Sequence, residues 1–245
     1  MTGVKLQAGN LLVKHKINGP TERVKVYSWK GERKMKYTAK YYNMFSFFLK
    51  GPMTKKFGRE SASQSIKRGK MIYRDMIEKT EDVGADNPMA GNIYMGYVLM
   101  AICRAGKYPV KDFSEVTAEF IRSKLVKKLM GGKDLNKSED MKKMRVKMHA
   151  MAKWAEDHPE YKDKTWDFNF DESRHKDGFY YHFTRCPMEK FARENGYLDV
   201  LPIGCNTDYL TCELNHGVLH RQSTLAEGGD ICDYWIVGDK VKDPL

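Results

Sequence analysis

The chain has 245 residues, of which 41% are hydrophobic and 31% are charged. This length supports one large domain or two closely packed subdomains, and the apolar content excludes a disordered chain. The net charge of +11 is concentrated in residues 1–70, which carry 17 Lys or Arg against three Glu. Such a segment could bind nucleic acid, anionic lipid or an acidic partner. Its aromatic residues cluster at helix spacing, however, so we do not expect a nucleic-acid partner.

The cysteine count and the apolar runs indicate a compartment. Five cysteines are an odd number, and no apolar stretch of signal-peptide length precedes them, which argues against a secreted disulfide framework. The longest apolar run, residues 93–103, is too short to span a membrane. We therefore predict a soluble, cytoplasmic protein with no membrane partner.

The first two thirds of the chain have turn signals followed by helical periodicity. Residues 1–35 predict short extended pieces joined by turns at Gly9-Asn10, Asn18-Gly19-Pro20 and Lys30-Gly31. Five helices then follow in the pattern. They are predicted at residues 38–50, where Gly51-Pro52 ends the helix, and at 61–79, 92–104, 112–130 and 138–157. The helix at 92–104 is apolar almost all round, which predicts the central helix of the core.

After residue 159 the apolar period changes from 3.6 to 2. Strands are predicted at residues 166–170, 179–184, 218–225 and 232–237, with short helices at 187–194 and 207–215. This order predicts an α+β fold, in which a helical N-terminal half packs on a mainly antiparallel sheet with two short inserted helices. We divide the chain into a basic arm (1–37), a helical subdomain (38–159) and an α+β subdomain carrying the site (160–245), the last two forming one compact domain.

The reactive side chains are concentrated in the last sixty residues. Cys186 precedes Pro187 at a predicted helix start, and Cys205 stands shortly before the helix that carries Asp208. The exposed N–H groups and positive dipole end of a helix stabilise a thiolate, so both thiols are candidate nucleophiles. His182 lies four residues before Cys186 on a predicted strand.

Residue chemistry leaves three interpretations of the cysteines open. One thiolate could attack an electron-poor carbon while His182 or Asp208 carries protons. Cys186, Cys205 and Cys232 with a histidine could bind zinc, although their intervals are not those of a zinc knuckle. Each could instead be a buried structural thiol, as we expect for Cys103 inside the apolar helix.

Strand alternation separates two further candidates. His220 and Arg221 are adjacent on a predicted strand, so they point to opposite faces and cannot both line one pocket without a bulge. Arg221 is the better candidate for binding a substrate carboxylate, because guanidinium pairs with carboxylate through two parallel hydrogen bonds.

Four segments of this region resemble the L-2-amino-thiazoline-4-carboxylic acid hydrolase family. They are Phe183-Thr184-Arg185-Cys186-Pro187, Gly196 leading to Leu201-Pro202, Cys205-Asn206-Thr207-Asp208-Tyr209, and Arg221 with Thr224-Leu225-Ala226-Glu227-Gly228-Gly229-Asp230-Ile231-Cys232-Asp233-Tyr234. The likeness covers residues 178–237 well and the helical half in outline. A weaker likeness, to four-vinyl-reductase type small-molecule-binding domains, keeps a ligand-binding or cysteine-metal module without catalysis as the alternative.

The resemblance implies a cytoplasmic enzyme that acts on a non-peptide C–N bond and opens a cyclic amidine, the thiazoline ring of a cysteine-related amino acid, by adding water to give an N-carbamoyl amino acid. A related ring opening or the reverse cyclisation in small-molecule biosynthesis would use the same pocket. We expect an amino-acid-like substrate, no cofactor and no metal, with a homodimer as a candidate assembly.

The expected site follows from the positions that match the family pattern. Cys205 is the expected nucleophile or polarising group, and Asp208 and His182 are the expected proton carriers. Cys186 and Cys232 are supports or alternative nucleophiles. Arg221 is the expected carboxylate anchor, with Thr224 and Asn206 as further substrate-binding residues.

Overall fold

The computed structural model describes residues 10–12, 26–28, 33–242 and 244. Strands β1 (Asn10–Leu12) and β2 (Val26–Ser28) form an antiparallel pair, in keeping with the predicted extended pieces. The turns predicted at Asn18-Gly19-Pro20 and Lys30-Gly31 lie outside the described residues. The helices that follow in the N-terminal half are α1 (Ala39–Phe57), α2 (Arg59–Lys79), α3 (Ala90–Gly106), α4 (Val110–Ile121), α5 (Lys124–Met130) and α6 (Ser138–Asp157).

The C-terminal third alternates short strands and short helices. In chain order they are β3 (Asn169–Phe170), β4 (Phe179–Phe183), α7 (Pro187–Asn195), α8 (Pro202–Cys205), α9 (Thr207–Leu214), β5 (Gly217–His220) and β6 (Cys232–Gly238). Single 3-10 turns occur at Pro159–Tyr161 and Leu225–Glu227. The four strands form an antiparallel sheet in the order β3-β4-β6-β5. The predicted α+β fold is therefore confirmed, and no helix in the described ranges is long and apolar enough to cross a bilayer.

Two predicted helix boundaries are wrong for identifiable reasons. Helix α1 continues through Pro52 to Phe57, because Leu49 and Met53 on either side of the proline are fully buried in the core. That burial offsets the lost backbone hydrogen bond. The helix predicted at 112–130 is interrupted instead, because the Ser123 side chain accepts a hydrogen bond from the Val126 N–H and begins α5.

Two strands are shorter than predicted because backbone groups beyond the strand ends bond to side chains instead of to a neighbouring strand. Only Asn169–Phe170 of the segment 166–170 pairs with β4, since Asp167 Oδ1 accepts hydrogen bonds from the backbone of Thr184 and Arg185 at 2.9 and 2.7 Å. Strand β5 ends at His220 because the backbone N–H groups of Gln222 and Ser223 donate to the Asp233 carboxylate at 2.7 to 3.1 Å. Helix α8 was not predicted.

Helix α3 is the centre of the core, as predicted. Its residues from Ile93 to Cys103 are largely buried, and it contacts α1, α2 and α8. Helix α7 packs on it through Tyr97 and Phe191, whose ring centroids are 4.9 Å apart. Gly96 of α3 leaves room for the Met188 side chain beside it. Helix α3 thereby sets the position of α7 and of the chain that enters it.

The register of β4 and β6 defines two faces of the sheet. Tyr181 lies opposite Tyr234 and Phe183 opposite Cys232 on the inner face, which packs against the helices. On the outer face, Tyr180 lies opposite Trp235 and His182 opposite Asp233. The sheet backbone therefore separates His182 from Cys232.

The glycine that directly precedes β4 leads to a prediction about stability. Gly178 has φ of +78°, and a Cβ at this position would collide with the backbone carbonyl of Ile236. We expect Gly178→Ala to lower the free energy of unfolding by about 2 to 5 kcal/mol, since strain from positive φ and overpacking add. Gly196 also has positive φ but has open space at its Cβ position, so Gly196→Ala should cost only about 1 to 2 kcal/mol. Urea unfolding of both variants measures the difference, and equal losses would contradict it.

Candidate active site

Three cysteines reach the inner face from different elements. Cys186 is the N-cap residue of α7, followed by Pro187 in its first turn, which confirms the predicted helix start. Cys205 is the last residue of α8 and stands two positions before α9 begins. Cys232 is the first residue of β6, where its sulfur accepts a hydrogen bond from the Leu225 N–H at 3.2 Å.

An ion pair joins α9 to the sheet at the same place. Arg221 Nη2 donates to Asp208 Oδ2 at 2.9 Å, and the Tyr234 hydroxyl donates to the same oxygen at 2.9 Å. No described residue donates to the other oxygen, Oδ1, and the Asp208 side chain is 37% exposed. The carboxylate is thus fixed through one oxygen and leaves the second oxygen free to react.

Arg221 is used inside the protein rather than at the surface. Besides its bond to Asp208, Nε donates to the Asp233 carbonyl at 3.1 Å and Nη1 to the Cys205 carbonyl at 3.3 Å. Its side chain is 3% exposed, and its Cζ lies 4.1 Å from the Tyr234 ring centroid. Burial opposes its charge, but Tyr234 and Asp208 outweigh burial and raise the pKa of the guanidinium. This position differs from the carboxylate anchor expected from the sequence, because the guanidinium orients Asp208 and α8.

Thr224 and Asn206, the other two expected substrate-binding residues, have separate surroundings. Thr224 is buried, and its hydroxyl caps the 3-10 turn by bonding to the Glu227 backbone and carboxylate at 3.2 and 2.9 Å. It therefore shapes the loop between β5 and β6. Asn206 is exposed and is the N-cap residue of α9, so its side chain stands at the rim of the cluster.

His182 lies on the outer face of the sheet, opposite the cysteine cluster. Its imidazole neighbours the Tyr180 ring, with centroids 5.9 Å apart, and its Nδ1 is buried without a partner among the described residues. His220 is on the same outer face, 4.7 Å from the Trp235 ring, whereas the adjacent Arg221 bonds to Asp208. The structure thus separates His220 from Arg221 as alternation predicts, and it does not bring His182 to Cys205.

The cluster thiols are neutral in the resting protein. Burial raises the pKa of Cys186 to about 12, even though the backbone N–H groups at the start of α7 and the Trp166 indole favour its thiolate. Burial also raises the pKa of Cys205, with further increases from Asp208, Cys186 and Cys232. Burial raises the pKa of Cys232 too. The prediction that a helix start would stabilise these thiolates is therefore wrong, because the desolvation of the buried thiols outweighs the helix dipole.

The raised pKa values of the thiols predict how their alkylation depends on pH. A raised pKa leaves less thiolate at pH 8 than in a free cysteine, so Cys186 and Cys205 should react with iodoacetamide more slowly than free cysteine at that pH. Their labelling should continue to accelerate as the pH rises from about 9 towards 12. Peptide mass spectrometry after brief labelling at graded pH measures each site. Fast labelling of either thiol at neutral pH would contradict the resting state described above.

Tyrosines complete the cluster, and the sequence interpretation missed them. Tyr181 stacks on Tyr234 with ring centroids 4.8 Å apart, and Tyr209 lies 5.3 Å from the Arg221 guanidinium. Burial raises the pKa of Tyr234 well above its ordinary value, so its hydroxyl keeps the proton that it donates to Asp208. Tyr234 could have been found, because it stands two residues after Cys232 and strand alternation puts both on one face.

Two surface clefts lie away from the cluster, and its side chains are not arranged as a metal site. Across residues 33–242, no three His, Cys, Asp or Glu side chains are arranged to hold a metal ion. One surface cleft lies beside α7 and includes Arg185, Pro187 and Lys190, and another lies beside the start of α6. Neither is lined by the ion pair or by the three cysteines. The free oxygen of Asp208 and the neighbouring thiols are therefore the chemical features that identify the candidate site.

Comparison with known proteins identifies a family model that covers this region. The model of the L-2-amino-thiazoline-4-carboxylic acid hydrolase family matches residues 101–236, which is more than half of the chain and includes all three cluster cysteines, Asp208 and Arg221. No curated protein is significantly similar to the chain. The match begins within α3, so it reaches further into the helical half than the motifs of the last third. The chain belongs to the L-2-amino-thiazoline-4-carboxylic acid hydrolase family.

Proposed function

We propose that this protein hydrolyses a non-peptide C–N bond by opening a cyclic amidine of the thiazoline amino-acid type. Membership of the family supports a hydrolase. The observation that carries the proposal is the Asp208 carboxylate, which Arg221 and Tyr234 hold through Oδ2 while Oδ1 remains free, and whose charge acts on the Cys205 thiol. A fixed carboxylate next to a thiol can accept a proton from a nucleophile attacking an amidine carbon.

In the proposed reaction, Cys205 is the nucleophile and Asp208 the base. The Cys205 thiol is neutral at rest, and a cationic substrate beside it would lower its pKa towards that of a usable nucleophile. The sulfur forms a bond to the amidine carbon, and the thiol proton passes to Asp208. One ring bond to that carbon then breaks, and the departing ring atom takes the proton.

Water completes the proposed cycle. It adds to the same carbon, the bond to Cys205 breaks, and the released thiol regains a proton, so the net change is the addition of one water to the substrate. Cys186 and Cys232 support the pocket as neighbouring neutral thiols. No cofactor is needed for this chemistry. The five cysteines are all free, which suits the reducing cytoplasm that we propose as the compartment.

Product analysis tests the proposal. Purified protein should convert 2-amino-thiazoline-4-carboxylate to a carbamoyl amino acid whose mass equals that of the substrate plus one water. Breaking the ring C–N bond leaves the carbamoyl group on sulfur and gives a free amine. Breaking the ring C–S bond leaves the carbamoyl group on nitrogen, as in the N-carbamoyl product that the family resemblance implies, and gives a free thiol that thiol reagents detect. A free amine supports the C–N assignment, a free thiol would move the cleavage to the C–S bond, and no ring-opened product with this or related cyclic amidines would refute the proposed activity.

A further inference from the structure

The charged groups around Tyr209 are mainly acidic. Tyr209 is 41% exposed at the rim of the cluster. The carboxylates of Glu227, Asp233 and Asp208 and the guanidinium of Arg221 are the charged groups that act on its phenol. Asp233 lies on the outer face of the sheet, where its carboxylate accepts hydrogen bonds from backbone N–H groups. The rim itself therefore carries two carboxylates, those of Glu227 and Asp208, against one guanidinium, and this excess of negative charge favours a cationic ligand over an anionic one.

The one cation in this set is not available to a substrate carboxylate. Each of the three Arg221 nitrogens donates to a protein acceptor, and the side chain is 3% exposed. The Tyr234 and Tyr209 rings lie 4.1 and 5.3 Å from its Cζ. To bind Arg221, a substrate carboxylate would have to break one of its three hydrogen bonds and displace an aromatic ring from the guanidinium.

The complementary acceptor is free. Asp208 Oδ1 receives no hydrogen bond from the described residues, while Oδ2 is fixed by two donors. A planar amidinium offers N–H donors in one plane and carries a positive charge, so it matches a free carboxylate oxygen. The exposed Tyr209 ring adds a π face against which such a cation can stack.

We infer, on the basis of the proposed function, that Asp208 Oδ1 and the Tyr209 ring recognise the substrate by its cationic amidinium, and that the substrate carboxylate contributes little to binding. The substrate class is therefore cyclic amidines and isothioureas that are protonated near neutral pH. Cyclic acids that lack the amidine are excluded from this class.

Two small probes separate the amidinium from the carboxylate. Isothermal titration calorimetry of the full chain with 2-amino-2-thiazoline, which has the amidinium alone, should show binding that weakens as salt is added. Thiazolidine-4-carboxylate, which keeps the carboxylate and has a ring amine in place of the amidinium, should bind at least about tenfold more weakly. Equal or tighter binding of the carboxylate probe would overturn the inference.

Variants test the two residues separately. Asp208→Asn should raise the Kd of the amidinium probe at least about tenfold, and Tyr209→Leu, at an exposed position that tolerates substitution, should raise it about threefold. Glu213→Gln, on the same helix, should leave the Kd unchanged. An unchanged Kd in Asp208→Asn, or in Tyr209→Leu should the first variant not fold, would overturn the inference.

The test of amidinium recognition and the test of ring opening can fail independently. Binding of the amidinium probe without any ring opening would refute the hydrolysis and leave the recognition mode standing. Ring opening of the full substrate without binding of the amidinium probe would refute the recognition mode and leave the hydrolysis standing.

Discussion

Replacing Asp208 with asparagine is expected to lower kcat for ring opening by about 100-fold or more, the usual loss when a positioned proton acceptor is removed. Asparagine can keep its amide oxygen where Oδ2 stands and continue to accept hydrogen bonds from Arg221 and Tyr234. Its NH₂ group then replaces Oδ1, which removes the free proton acceptor while preserving the surrounding contacts. The variant should therefore fold and fail in the chemical step.

A matched control is available on the same helix. Glu213 of α9 pairs with Arg122 at 2.6 Å on the surface, where both side chains are about half exposed. Glu213→Gln changes the charge of α9 by the same amount and should keep kcat within about twofold, because an exposed pair contributes little. Steady-state assays that separate kcat from KM measure both variants. Undiminished kcat in Asp208→Asn would remove Asp208 from the chemistry.

Replacing Arg221 with methionine is expected to lower the free energy of unfolding by about 3 to 5 kcal/mol. The guanidinium is 3% exposed and bonds to Asp208 and to the carbonyls of Cys205 and Asp233. Methionine fills much of the volume but removes the guanidinium donors from the Cys205 and Asp233 carbonyls and leaves Asp208 with the Tyr234 hydroxyl alone. Acceptors that lose their donor inside a protein are costly. Lysine should restore only part of the loss, because one ammonium cannot reach the three acceptors in a fixed plane.

Arg122 supplies the comparison for this stability effect. Its guanidinium also makes two bonds to a carboxylate of α9, at 2.6 and 2.9 Å, but both side chains of that pair are about half exposed, at 51% and 54%. Arg122→Met should therefore cost only about 1 kcal/mol or less. Urea unfolding followed by circular dichroism measures both variants. Similar losses for Arg221→Met and Arg122→Met would contradict the structural role assigned to Arg221.

The main elements of the fold could be predicted because they depend on local pattern. The apolar residues of α3 and the alternation in β4 are visible in short windows of sequence, and both elements are confirmed. The errors arose where tertiary contacts compete with local signals. Pro52 normally ends a helix, yet the buried neighbours on either side carry α1 past it.

The candidate site was predictable in its residues but not in its geometry. Alternation places the His182 side chain on one face of β4 and those of Tyr181 and Phe183 on the other face. It does not say which face the helices will cover. That choice depends on how α7, α8 and α9 pack, and the packing puts Cys186, Cys205 and Asp208 on the inner face. The thiol pKa values could not be predicted for the same reason, because a helix start is local whereas desolvation comes from the whole fold.

The placement of the reaction on the inner face of the sheet is tested most directly by two single variants in one ring-opening assay. Cys205→Ala removes the proposed nucleophile, and His182→Ala removes an imidazole on the outer face. Turnover of 2-amino-thiazoline-4-carboxylate should fall at least about 100-fold in Cys205→Ala and stay within about threefold of the wild-type rate in His182→Ala. Full activity in Cys205→Ala together with loss of activity in His182→Ala would contradict the inner-face site.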